Sequence, residues 1–168
     1  LNKKYCWRNN DILIRNWIRH NRSKIINNNI ALIEWDVLIT QKLPELKVEG
    51  LIAKNVHKPG SNWYWFRESN KLGPIQKYKM GISPFSVLFM NQKCIDIWIS
   101  HEFDPIFSCD IFCELRLPTV MRSKNIDVFS YPMSKNFAAK TELSFEPGIY
   151  HPIKKNIHNN AGLTSQYG

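Results

Sequence analysis

The sequence predicts an α/β fold, and three observations carry that prediction. Short apolar runs of strand length recur at residues 30–33, 51–56, 85–90 and 128–131. Longer stretches with helical spacing stand between them, at residues 11–20, 91–99 and 110–124. Turn residues separate the two kinds: Asn27-Asn28-Asn29, Gly50, Pro59-Gly60 and Gly73-Pro74. Strands alternating with helices indicate an open sheet flanked by helices.

The elements follow in order. Residues 11–20 form an amphipathic helix with Ile12, Leu13, Trp17 and Ile18 as its apolar face and Asp11 as its cap. Ile30-Ala31-Leu32-Ile33 suits a buried strand, and it runs straight into Glu34-Trp35-Asp36. Side chains two apart on a strand share a face, so Glu34 and Asp36 project together. They do so at the strand's C-terminal end, where open α/β sheets bind ligands. Residues 43–48 are a short excursion, residues 51–56 a second strand and residues 57–62 a loop. Trp63-Tyr64-Trp65-Phe66 reads as an extended run with Trp63 and Trp65 on one face. It is either a buried sheet edge or, in part, a platform for a sugar ring or base. Residues 69–79, around Gly73-Pro74, read as a mobile loop.

Gly81-Ile82-Ser83-Pro84 leads into the third strand, residues 85–90. The helix at 91–99 places Cys94, Ile95 and Trp98 on one face. Residues 101–108 form a loop, 110–124 a helix despite Pro118, and 128–131 the fourth strand. Residues 134–146 are polar and irregular. The expected organisation is one domain over residues 1–155 and a disordered tail over 156–168.

Bulk properties bound the function. The chain has 168 residues, 43% hydrophobic and 12% aromatic, enough for a real core. No apolar run approaches the roughly 18 residues of a membrane span. Leu1-Asn2-Lys3-Lys4 is not followed by an apolar leader segment, so a cytoplasmic location is expected. Peripheral contact with the inner membrane face is compatible with the charge. The net charge of +9 favours polyanions: nucleic acid, an anionic membrane or a nucleotide diphosphate. The basic residues are scattered, and no nucleic-acid partner is expected. Cys6, Cys94, Cys109 and Cys113 form no CxxC and suit a reducing compartment. Cys109 and Cys113 fall on one helix face, as core rather than ligands.

Three places carry candidate chemistry. The Glu34 and Asp36 carboxylates offer hard oxygens that suit Mg²⁺ or Mn²⁺ on a phosphorylated substrate. Asp110 and Glu114 stand near the start of a helix, where a carboxylate serves either as a base or as a complement to the helix dipole. His151 is the third, with a loop histidine bonded to backbone as its ordinary alternative.

A sequence of motifs links these places. The apolar strand ends in Glu34-Trp35-Asp36, and Gly81-Ile82-Ser83-Pro84 precedes a second apolar strand. Cys113-Glu114-Leu115-Arg116-Leu117-Pro118-Thr119 follows, then Gly148-Ile149-Tyr150-His151-Pro152-Ile153-Lys154. Over residues 7–155 the chain resembles a nucleotide-sugar glycosyltransferase of the GT-A type. The likeness is to poorly characterised bacterial members with Glu-Trp-Asp where the family has Asp-x-Asp.

The resemblance implies roles. Asp36 becomes the direct ligand of Mn²⁺ or Mg²⁺, with His151 on the same ion and Glu34 contacting the ribose or a metal-bound water. Glu114, or Asp110, becomes the base that deprotonates the acceptor hydroxyl. Trp63, Trp65 and Lys154 become substrate contacts, the partners being a nucleotide-sugar donor and an unknown glycan or other acceptor. The family carries a longer stretch before the acidic motif than the 33 residues that precede Glu34 here. The GT-A-like sheet is therefore expected to lack the N-terminal part of its nucleotide-binding half, and the chain alone to be nearly inactive. Two further readings compete: a non-enzymatic basic module that stacks nucleic acid on exposed rings, and an inactive remnant of the enzyme.

Overall fold

The computed structural model describes residues 8–34, 37–39, 49–131 and the backbone of 149–150. These residues form a mixed α/β structure. Strands β1 (Asn29–Ile33), β4 (Gly81–Asn91), β3 (Leu51–His57) and β5 (Val128–Ser130) lie in that order in one sheet. The first two junctions are antiparallel and the β3–β5 junction is parallel. A separate two-stranded ladder pairs β2 (Leu38–Ile39) with β6 (Ile149–Tyr150).

Helices α1 (Asn10–Asn21), α2 (Gln92–Ile99) and α4 (Cys113–Ser123) pack on one face of the sheet. α3 (Asp104–Phe107) is a single turn between α2 and α4. Ile18, Trp98, Phe112, Leu117, Val120 and Met121 meet Leu51, Ile82, Leu88 and Met90 there. A smaller cluster of Ile52, Val87, Phe89 and Tyr131 covers the other face. The fourfold alternation of β4 between these clusters is why its run is apolar on both sides. Among the described residues no helix is long and apolar enough to cross a membrane.

Several local expectations are corrected. The strand at 29–33 is not buried: it is an edge strand in which exposed and half-buried residues alternate. Leu13 and Trp17 are not on the buried face of α1 but on its outer side, Trp17 being 61% exposed. The inner face instead carries Asp11, Arg15 and Ile18. Asp11 is no cap. Asn9 occupies that position, and Asp11 is buried against Arg116 of α4 at 2.6 and 2.7 Å. Burial pushes the Asp11 carboxyl up, and the guanidinium opposes it. Hydropathy missed this face because a buried ion pair reads as two surface residues.

Arg15 and Arg19 complete the junction of α1 with α2. Arg15 donates to the carbonyls of Trp98 and Ser100, and Arg19 to that of Ile99. These are the last carbonyls of a helix, which lack amide donors of their own. Both guanidinium groups also reach Asp104 at 2.6 Å, whose carboxyl is held well below its usual range by His101, Arg15 and Arg19.

The aromatic run is not extended. Residues Tyr64–Tyr78 form 3₁₀ turns broken at Gly73, whose φ of +56° suits a glycine. Leu72 within it is fully buried, so the expected mobile loop is an ordered element fixed to the core. His57 ends β3 rather than opening a loop. Residues 101–108 hold a 3₁₀ turn, His101–Phe103, and α3. The helix expected at 110–124 begins later, at Cys113, because residues 110–112 approach it in extended form. Cys109 therefore lies outside the helix, while Cys113 is its first, buried residue. The expected excursion at 43–48, the irregular stretch at 134–146 and the tail fall outside the described residues.

Candidate active site

The site is built around an irregularity in β4. Ala53 on β3 pairs with Leu88, and Asn55 pairs with Ser83. Two steps along β3 therefore match five along β4, and residues 84–87 bulge away from the ladder opposite Lys54. Pro84, which has no N–H for a ladder, sits in this excursion. The bulge frees the Phe85 amide from β3, and that amide donates to Glu114 Oε1 at 2.9 Å. The next residue continues pairing on its other side: the Glu34 amide donates to the Ser86 carbonyl at 2.9 Å. Glu34 and Glu114 are thus anchored on consecutive residues of one strand.

Alternation along β1 places Glu34 on the helix-covered face, with Ile30 and Leu32. The side chain meets α1 there, and Asn10 Nδ2 donates to Glu34 Oε1 at 2.9 Å. Glu114 arrives from the first turn of α4. The carbonyl of Glu114 has no i+4 amide to accept, because residue 118 is proline. Ser86, on the bulge, is 1% exposed, and its hydroxyl finds no partner among the described residues.

Burial pushes the Glu114 carboxyl up from 4.5 to about 8. The Phe85 amide opposes this shift, and the negative charge of Glu34 adds to it. Two carboxyl groups with unlike environments, one acting on the other through its charge, form an arrangement that acid–base chemistry uses. The alternative roles for Glu114 as an ion-pair partner do not occur, since Arg116 pairs with Asp11 and Arg122 with Asp127.

The coupling of the two carboxyls is measurable. Glu34→Gln removes the like charge, so the apparent pKa of Glu114 falls below that of the wild type. Carboxyl titration by infrared difference spectroscopy reads this directly, and an unchanged value shows that Glu34 does not act on Glu114.

Asp110 is placed elsewhere. Its exposed carboxylate pairs with Arg8 at 3.2 Å and stands 4.0 Å from Lys71. Arg8 Nη2 also donates to both carboxylate oxygens of Glu68, at 2.9 and 3.0 Å, and Glu68 accepts the Phe112 amide just before α4. This network fixes the approach to Glu114 rather than adding a second carboxyl to it.

Trp63 and Trp65 are packing residues in part. Trp63 stacks on His57 with ring centroids 4.7 Å apart and lies over Gly81, where any Cβ would meet its ring. Trp65 rests on Phe112 at 4.2 Å with Arg8 above it. Tyr64 is the exposed ring of the run, and Arg67 covers it at 3.5 Å.

Sequence reading missed Asn10, Phe85 and Ser86. The only signal was Ser83-Pro84 inside an apolar run, since a proline in a strand marks a bulge or an edge. Asp36, His151 and Lys154 lie outside the described residues. Among the described residues no three His, Cys, Asp or Glu side chains are grouped as a metal site. Comparison with family models, with characterised proteins and with solved structures gives no match to this chain.

Proposed function

We propose that this chain is a glycosyltransferase, or the C-terminal part of one, which moves a sugar from a nucleotide-sugar donor to an acceptor. The observation that supports it best is the buried Glu114 carboxyl, with its raised pKa, beside the acidic strand end at Glu34. An acceptor hydroxyl gives its proton to the Glu114 carboxylate as its oxygen bonds to the anomeric carbon of the donor. The bond from that carbon to the diphosphate breaks, and the nucleoside diphosphate leaves with the electron pair. A base poised near neutral pH suits such a proton transfer. Glu34, held by Asn10, fixes the orientation of the strand end and acts on Glu114 through its charge.

The divalent cation of this reading rests on Asp36 and His151, with Glu34 contributing a hard oxygen beside them. When bound, Mn²⁺ or Mg²⁺ supplies charge stabilisation to the leaving diphosphate. Metal affinity is expected to depend on Asp36 more than on Glu34. Calorimetric titration with Mn²⁺ plus a nucleoside diphosphate compares the wild type with Asp36→Ala and Glu34→Ala. Equal affinity in wild type and Asp36→Ala counts against the ligand role.

A nucleic-acid surface has less support. Six of the seven arginines, Arg8, Arg15, Arg19, Arg22, Arg116 and Arg122, are paired with carboxylates of the chain itself, and the lysines are scattered along the sequence rather than grouped. The glycosyltransferase reading is tested by assaying transfer and donor hydrolysis over a panel of nucleotide sugars. The base role predicts a rate that rises with pH through about 8. A rate that falls through the same range makes Glu114 an acid instead, and no hydrolysis or transfer with any donor by the full-length enzyme removes the reading.

A further inference from the structure

An apolar groove of about 640 Å³ runs between α1 and the edge strand β1, away from the carboxyl pair. Leu13, Trp17, Ile26 and Ile30 line it, with Lys24 at its rim. Trp17 and Ile26 are 61% and 81% exposed, although they are the kinds of side chain that cores normally take. A contiguous apolar surface of this kind marks an interaction site rather than scattered surface residues.

The one charged side chain lining the groove is the cation of Lys24. Residues 12–33 contain Arg15, Arg19, Arg22 and Lys24 and no Asp or Glu. Carboxylates from elsewhere meet only part of this charge. Arg15 and Arg19 share Asp104, Arg22 pairs with Asp96, and Lys24 bonds to the neutral Asn21 side chain. Arg15 is buried and Arg19 and Arg22 are paired, so the cation at the groove without a carboxylate partner among the described residues is Lys24. Lys24 argues against a second copy of the chain on this face, because a symmetric contact brings the Lys24 side chains together. It is complementary to an anionic surface that also accepts apolar side chains.

We propose that this face docks on an anionic lipid bilayer, with Trp17 and Ile26 inserted at the headgroup boundary and Lys24 against the headgroups. A tryptophan ring and an aliphatic side chain beside lysine are the chemistry of interfacial anchoring. The docking is independent of sugar transfer, and a chain with no transferase activity still shows it.

The test is co-sedimentation of the full chain with vesicles of phosphatidylglycerol and phosphatidylcholine, and with vesicles of phosphatidylcholine alone. The expected result is binding to the anionic vesicles that weakens with salt, and little binding to the neutral ones. Trp17→Ala with Ile26→Ser lowers the partition coefficient by about tenfold or more. Lys24→Glu lowers it on anionic vesicles only. Both inserted residues are exposed, so circular dichroism of the double variant is expected to match the wild type. Absence of wild-type binding to anionic vesicles overturns the proposal, as does equal binding by the correctly folded double variant. A self-associated wild type that becomes monomeric in the double variant, seen by sedimentation velocity, assigns the face to a second copy instead.

Discussion

In the full-length enzyme, Glu114→Gln is expected to lower sugar transfer by about 10²–10⁴-fold, the usual contribution of a general base. Donor binding is expected to change little, because Gln keeps the shape and its Oε1 still accepts the Phe85 amide bonded to Glu114 Oε1. The comparison of kcat with donor affinity in wild type and variant separates the two effects. Full transfer in the variant removes Glu114 from the chemistry.

The same substitution has an opposite effect on stability. The Glu114 pKa rises from 4.5 to about 8 in the fold, so the folded state holds its proton more tightly. The stability that this proton contributes is complete below about 4.5 and is lost as pH rises through about 8. The loss amounts to roughly 5 kcal/mol at most, from about 1.4 kcal/mol per unit of pKa difference. Gln does not titrate, so at pH 9 the variant is expected to be the more stable protein. Urea unfolding at pH 6 and pH 9 reads this as a smaller pH dependence in Glu114→Gln. Equal pH dependence in the two proteins means that Glu114 is ionised at an ordinary pKa in the fold. A buried carboxyl that costs stability when charged and carries the reaction when charged is the trade expected of a functional site.

The second large effect concerns Asp11 and Arg116. Both side chains are fully buried, and Arg116 also donates to the Cys109 carbonyl at 2.7 Å and to Asn9 Oδ1 at 3.2 Å. Arg116→Met leaves the Asp11 carboxyl buried without its counter-charge and is expected to cost about 3–5 kcal/mol. Burial already raises the Asp11 pKa, and loss of the guanidinium raises it further. Protonation then relieves part of the penalty, so the loss is smaller at pH 5 than at pH 8. Asp11→Leu combined with Arg116→Met is expected to recover most of the stability, because no charge remains buried. Chemical denaturation of the two variants at both pH values is the measurement. A cost below about 1 kcal/mol in Arg116→Met puts the pair at the surface range instead.

Local patterns were legible where periodicity and burial agree. The helix at 92–99 was readable because Cys94, Ile95 and Trp98 repeat on one face and Asn91 accepts the Cys94 amide as its cap. Strands β3 and β4 were readable as apolar runs bounded by turn residues. α1 was readable as a helix, but its orientation was not. Its inner face carries Asp11 and Arg15, whose partners lie on α4, in the Ser100 carbonyl after α2, and on Asp104. Nothing within the helix itself signals those partners. The aromatic run misled for a related reason: Trp63 and Trp65 alternate as in a strand, yet each ring packs toward a different neighbour, His57 and Phe112.

By itself the sequence determined that the fold mixes strands and helices, that a carboxylate, Glu34, follows the first strand, and that Glu114 stands near the start of a helix. Each of these is a property of neighbouring residues, set by periodicity and by the chemistry of short motifs. The tertiary structure alone decided that Glu34 and Glu114 meet. They are 80 residues apart in a chain where residue 34 closes an edge strand and residue 114 opens a helix. What joins them is the bulge at 84–87, which withdraws the Phe85 amide from one neighbour and offers the Ser86 carbonyl to the other. Such a bulge is a mismatch between two strands, and its one trace in a single strand is Pro84 of β4. The raised Glu114 pKa follows first from burial and then from the charge of Glu34, and both are properties of surroundings that only the folded chain assembles.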